Sequence, residues 1–208
     1  MSFGHEIYVS KASMGLSVKI LTSIVFLLVA MLVLASIHFY FEDRFSSEVL
    51  AGILGIAVCI IVVPYMYAPK MYVLTHRGLV IRRILNDIFI PYSEMKNVDI
   101  ISYEKQSTAT DIKLWGSSGF YGFFGQFKMI KLGYVNLYLT DIKKCLLIEK
   151  VNGEKYIISP EKPDMFLRII KGYMKLRGRE RTMQTYEPAY SLIKLYLELS
   201  WSRVEEKK

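Results

Sequence analysis

Two long apolar runs dominate the pattern of polar and apolar positions. The first, Ile20–Phe41, holds no acid, lysine or arginine and is broken only by Thr22, Ser23, Ser36 and His38. The second, Val49–Ala68, carries no charge. At about 1.5 Å of rise per residue, each run spans roughly 30 Å as a helix, the thickness of a bilayer's hydrocarbon core. Neither shows the polar stripe of a helix lying on a soluble core. The pattern predicts two membrane-spanning helices joined by the short link Glu42–Glu48. A cleaved signal peptide is the rival reading of the first run, and the run's length and late start speak against it.

After Ala68 the pattern changes from continuous to alternating. Strands are predicted at Met71–Thr75, Leu79–Arg83, Ile88–Pro91, Met95–Tyr103, Tyr134–Thr140, Leu146–Val151 and Glu154–Ser159. Gly78, Asn86-Asp87 and the Asp141–Lys144 stretch mark turns between them. Asn152-Gly153 is the strongest hairpin signal, because both residues accept positive φ. Seven antiparallel strands of this kind fold into a small barrel or two packed sheets. The N-terminal Ile7-Tyr8-Val9 either adds a strand or lies loose at the surface. From Pro160 and Pro163 the period turns helical, with Phe166, Ile169, Ile170 and Tyr173 on one face and Gly178 as a stop. A last helix is expected from Pro188. Its polar stripe (Ser191, Lys194, Glu198, Ser202, Glu205) and broad apolar arc with Trp201 suit either the membrane interface or another protein surface, with disorder as a third reading. The expected division is 1–19, an N-terminal segment; 20–68, the helical hairpin; 69–177, the β-rich domain; and 178–208, a basic linker and tail helix.

Charge sharpens this division. The chain carries 27 Lys+Arg and 19 Asp+Glu, a net +8. Residues 1–68 hold three bases and four acids, which leaves 24 bases and 15 acids, or +9, for residues 69–208. Lys11 and Lys19 precede the first run; Lys70, Arg77, Arg82 and Arg83 follow the second; the link has Arg44 alone. This bias places both termini in the cytoplasm. A basic domain beside a membrane points to anionic headgroups. No nucleic-acid partner is expected, because no recognition motif for one is present. Cys59 falls inside the second run and Cys145 outside it, so the two are not expected to pair.

Between the fourth and fifth predicted strands lies Trp115-Gly116-Ser117-Ser118-Gly119-Phe120-Tyr121-Gly122-Phe123-Phe124-Gly125-Gln126-Phe127, with glycine at every third position. No phosphate-cradling spacing is formed and no helix opens after it. The stretch reads either as a long hairpin whose rings cover the core or as a loop whose rings dip into the headgroup layer. The residues proposed to meet membrane or lipid are Lys70, Arg77, Arg82, Phe120, Tyr121, Phe123, Phe124, Lys128, Lys131 and Trp201. No HExxH, CxxC or nucleophile elbow occurs, so neither catalysis nor a cofactor is expected.

The segment Tyr72-Val73-Leu74-Thr75-His76-Arg77-Gly78-Leu79-Val80-Ile81-Arg82-Arg83, followed by Ile90-Pro91-Tyr92-Ser93-Glu94-Met95, resembles the opening strands of bacterial pleckstrin-homology (PH) domains found after two membrane spans. Gly119–Phe127, Thr140-Asp141 and Ile158-Ser159-Pro160 are similar to later landmarks of that family. The resemblance covers about Met71–Leu176. It implies an α+β membrane protein: a transmembrane hairpin, then an antiparallel PH-like barrel or sandwich with a C-terminal helix. The role expected from the residues themselves is binding, to a protein or a second copy, or alternatively to anionic lipid through the basic face and the aromatic loop.

Overall fold

The computed structural model describes residues 6–108, 111–143 and 145–176. Trp201, the linker from residue 178 and the tail helix lie outside the described residues. Two helices, α1 (Leu16–Phe41) and α2 (Ser47–Tyr67), fill the two apolar runs, and both are long and apolar enough to cross a membrane. Helix α1 begins a turn before the predicted run because that turn rests on the β-rich part. The Gly15 N–H donates to the Thr140 carbonyl at 2.7 Å, and Val18 is buried. Further along α1 the buried positions are Thr22, Val29 and Ser36. A seven-residue spacing of this kind is the seam of a left-handed helix crossing.

The N-terminal segment adds a strand. β1 (Glu6–Lys11) runs antiparallel to β2 (Met71–Thr75), with Val9 opposite Val73 and Lys11 opposite Met71. The chain just before α1 and the chain just after α2 are therefore paired side by side. β3 (Gly78–Arg82) and β4 (Ile88–Pro91) complete a four-stranded sheet in the order β1-β2-β3-β4. The β2–β3 turn is tight: Thr75 Oγ1 donates to the Gly78 carbonyl and accepts the Gly78 N–H. A Cβ at Gly78 would run into the Ile90 carbonyl, which fixes glycine there.

The second sheet has six strands: β5 (Met95–Ile101), β6 (Ile112–Ser118), β7 (Phe123–Met129), β8 (Gly133–Leu139), β9 (Cys145–Lys150) and β10 (Lys155–Ile158). Their order is β5-β9-β10-β8-β7-β6. Of the two architectures expected, the chain takes the second: the sheets are two packed layers and do not close into a barrel. Three expectations are corrected here. β10 runs parallel to β8, so the sheet is mixed. The fourth predicted strand stops at Ile101, because Tyr103 starts a short helix, α3 (Tyr103–Gln106), whose ring buries against Phe123 at 5.5 Å. In the β9–β10 turn only Gly153 takes positive φ, at 87°. The glycine–aromatic stretch is a β6–β7 hairpin, which adds two strands to those predicted.

A helix over residues 163–176, α4, closes the domain, with Pro163 in its first turn where the missing N–H is harmless. Its Phe166 and Ile170 are fully buried in the main core with Tyr72, Leu74, Leu79, Ile81, Leu146 and Ile148. A second cluster, Phe127, Met129, Leu137, Leu139, Cys145 and Ile157, lies on the other face of the larger sheet under Tyr103. The larger sheet is thus buried on both faces, which is why β9 is apolar almost throughout rather than alternating.

Candidate functional site

The described side chains converge where the tip of the β6–β7 hairpin meets the two apolar helices. The tip is Gly119–Gly122, closed by the Gly119 N–H to the Gly122 carbonyl at 3.0 Å and by Ser117 Oγ to the Phe120 carbonyl at 2.8 Å. Gly119 and Gly122 take φ of 117° and 137°, and Tyr121, which has a Cβ, takes 58°. A non-glycine residue in that region is strained by about 1 kcal/mol or more and is retained only when its surroundings hold it.

The surroundings here are α1 and α2. The Tyr121 N–H donates to Thr22 Oγ1 at 3.1 Å. The Tyr121 ring stands edge-on to Phe26 of α1 at 6.0 Å and to Tyr65 of α2 at 5.3 Å. Phe120 meets Phe26 at 6.2 Å. A Cβ on Gly119 would sit 2.5 Å from Leu21 Cδ2, the end of a flexible side chain, so the φ of 117° and not the space is what calls for glycine there. Each edge-to-face ring pair contributes roughly 0.5–1.5 kcal/mol beyond its buried area. Phe26 lies seven residues beyond Lys19, about 10 Å along the helix. The tip therefore reaches alongside the apolar part of α1, and Tyr121 is only 7% exposed.

Of the other proposed contact residues, Lys70 reaches this seam through Tyr65, and the rest lie away from it. The Lys70 ammonium lies 3.3 Å from the Tyr65 ring centroid, and partial burial pulls its pKa below the usual lysine range. Arg82 is paired with Glu6 at 2.6 Å. Arg77 is exposed in the β2–β3 turn, a strand length from α2. Lys128 sits over Tyr134, and Lys131 donates to the Lys105 carbonyl at 2.6 Å. Phe123 and Phe124 fall on opposite faces of β7: Phe123 packs on the cluster under Tyr103, and Phe124 is buried in the main core. Sequence reasoning missed the tip's partners, Thr22, Phe26 and Tyr65. The signal was faint: one hydroxyl and two rings within apolar runs. Among the described residues no three His, Cys, Asp or Glu side chains are placed to hold a metal ion.

One comparison falls on the two sheets and the capping helix. The model of the family described as "Bacterial PH domain" matches residues 70–173, half of the chain. The chain belongs to the bacterial PH domain family. No curated protein and no solved structure matches it. Within the PH domain the matched segment begins at Lys70, directly after α2, and ends at Tyr173 in α4. The β6–β7 hairpin that reaches the helices is thus part of the family domain, whereas its docking partners on α1 and α2 lie before it.

Proposed function

We propose that this chain is a membrane-anchored, non-catalytic PH-type module that holds a protein partner or a second copy of itself at the cytoplasmic face of the bilayer. One observation carries the reading: the hairpin that grips α1 and α2 leaves its other strand, β6, as the outer edge of the six-stranded sheet. Ile112, Leu114 and Trp115 on that edge are about half exposed. A free edge offers unpaired N–H and C=O groups to an added strand, and exposed apolar side chains give such an addition affinity. Anchoring is supported by the two apolar helices, and a common side for both termini by the β1–β2 pairing. The excess of Lys and Arg beside those strands supports the cytoplasmic assignment.

The lipid-sensing alternative draws support from the basic balance of residues 69–208, although Lys70, Arg82, Lys128 and Lys131 are each engaged within the chain. A photo-crosslinking side chain at Leu114, activated in intact membranes, distinguishes the two. The contact reading expects a protein adduct of discrete mass, or a dimer, that Ile112→Lys removes. Adducts with lipid alone would favour the alternative. Release of the chain by alkaline carbonate would remove the anchoring on which both depend.

A further inference from the structure

A second feature lies on the outer side of the same hairpin. A cavity of about 420 Å³ is bounded by Val63, Pro64 and Tyr67 of α2 on one wall and by Trp115, Gly116, Ser117 and Phe124 on the other. Its lining is apolar apart from the Ser117 and Tyr67 hydroxyls and backbone. Two glycines make it possible. Gly116 and Gly125 face each other across the hairpin with φ of 116° and 118°, and a Cβ on either would strike the opposite backbone. The strand next to α2 is therefore bare at that point, and Trp115, 48% exposed, stands beside the opening.

One cation, Arg83, is linked through neighbouring residues to both walls. The Arg83 guanidinium lies 5.5 Å from the Tyr138 ring centroid, and Tyr138 is the cross-strand partner of Phe124 in the cavity wall. Two residues on, the Leu85 N–H donates to the Met66 carbonyl at 3.1 Å, next to Tyr67 in the other wall. The Arg83 guanidinium donates Nε–H and Nη2–H to the Asn86 carbonyl and forms no ion pair with a carboxylate among the described residues, while the Asp87 carboxylate accepts the Arg83 backbone N–H at 3.0 Å. A guanidinium has five N–H donors, so most of its fork remains free.

We propose that this cleft holds one acyl chain of an anionic phospholipid from the surrounding leaflet, with the lipid phosphate on Arg83. The occupant follows from two facts. The α2 wall is continuous with the lipid-facing surface of a membrane helix: Val63 lies about 6 Å along the helix from its last residue, Tyr67, in the part of the bilayer next to the domain. Linked to both walls is a guanidinium without a carboxylate ion-pair partner among the described residues, the side chain best suited to a phosphodiester. The inference rests on the membrane-anchored reading but not on the protein-binding one.

The chain has two tryptophans, Trp115 and Trp201. Full-length protein carrying Trp201→Phe makes Trp115 the sole reporter. In detergent micelles it is titrated with phosphatidylglycerol, and separately phosphatidylcholine, brominated in mid-chain. The proposal expects quenching that saturates near one lipid per chain, with phosphatidylglycerol the tighter. Val63→Phe, which fills the cleft, weakens the tighter binding by about tenfold or more. Arg83→Gln removes the preference between headgroups and leaves chain quenching in place. Quenching that rises linearly with lipid fraction and ignores Val63→Phe overturns the proposal. So does a Val63→Phe that alters only oligomer mass, because a second copy's helix would then be the occupant. Failure of the anchoring reading is seen separately, as protein that does not travel with the micelles.

Discussion

Thr22 is the residue on which the join between domain and helices turns. In an apolar run a hydroxyl has few partners, and Thr22 gives its oxygen to the Tyr121 N–H. That amide belongs to a residue with φ of 58°, so bond and strain are coupled. Thr22→Val keeps the shape and leaves the Tyr121 amide without its acceptor, a loss of about 1–3 kcal/mol. The expected outcome is local: hydrogen exchange at residues 119–122 speeds up while the β8–β10 core stays protected. Unchanged exchange at the tip would mean that the rings alone hold it. Tyr72 plays a comparable part inside the domain. Its hydroxyl donates to the Tyr138 carbonyl at 2.7 Å and lies 3.4 Å from Ser159 Oγ, which in turn accepts the Thr140 N–H at 2.8 Å. Tyr72→Phe leaves a buried carbonyl unpaired and is expected to lower unfolding stability by about 1–3 kcal/mol in a denaturant titration.

Among the elements, the β6–β7 hairpin depends most on its glycines. Gly116→Ala demands a positive φ of an alanine and drives its Cβ into the Phe124 carbonyl. The backbone term alone is about 1–3 kcal/mol, and the collision adds to it. The hairpin is expected to separate or shift register, with proteolysis appearing between residues 112 and 129. Gly133→Ala, also at positive φ but with open space around it, serves as the control with the milder effect.

These elements also explain which parts of the molecule the pattern revealed. The two helices and strands β2 and β4 were legible because their apolar runs are long or bounded by strong turn residues. Strands β6 and β7 were hidden. Glycine at every third position overrides the two-residue period, and β7 carries rings on both faces because both are covered. The mixed sheet was hidden too, since a parallel β8–β10 pairing follows from which strand lies between them and not from any local signal. At the site, the ring-rich tip stood out, but Thr22 lies 99 positions from its partner and no local pattern joins them. Two of the basic candidates looked available because the groups that engage them, Glu6 for Arg82 and the Lys105 carbonyl for Lys131, lie 76 and 26 positions away.

For the molecule as a whole, three buried acids of weak strength set a limit at alkaline pH. Burial pushes the Tyr72 hydroxyl from 10.0 up to about 12, and the Cys145 thiol from 9.0 up to about 12. Burial, then the Glu154 carboxylate, raises Tyr156 from 10.0 to about 12. Each keeps its proton in the folded chain at a pH where the unfolded chain has lost it. The folded state then binds more protons, so unfolding free energy falls with rising pH, by up to about 1.4 kcal/mol per pH unit for each group. This contribution is whole below about pH 9 and is lost as pH rises toward 12. Tyr156 contributes least because it is half open to solvent. Melting temperature followed by circular dichroism in detergent is therefore expected to be insensitive to these groups from pH 7 to 9 and to drop steeply above. Tyr72→Phe lowers the plateau yet makes the alkaline slope shallower, because one of the three groups no longer titrates. An identical slope in that variant would assign the alkaline loss to other groups, Tyr92, Tyr103 and Tyr138 first among them, whose hydroxyls burial also pushes up.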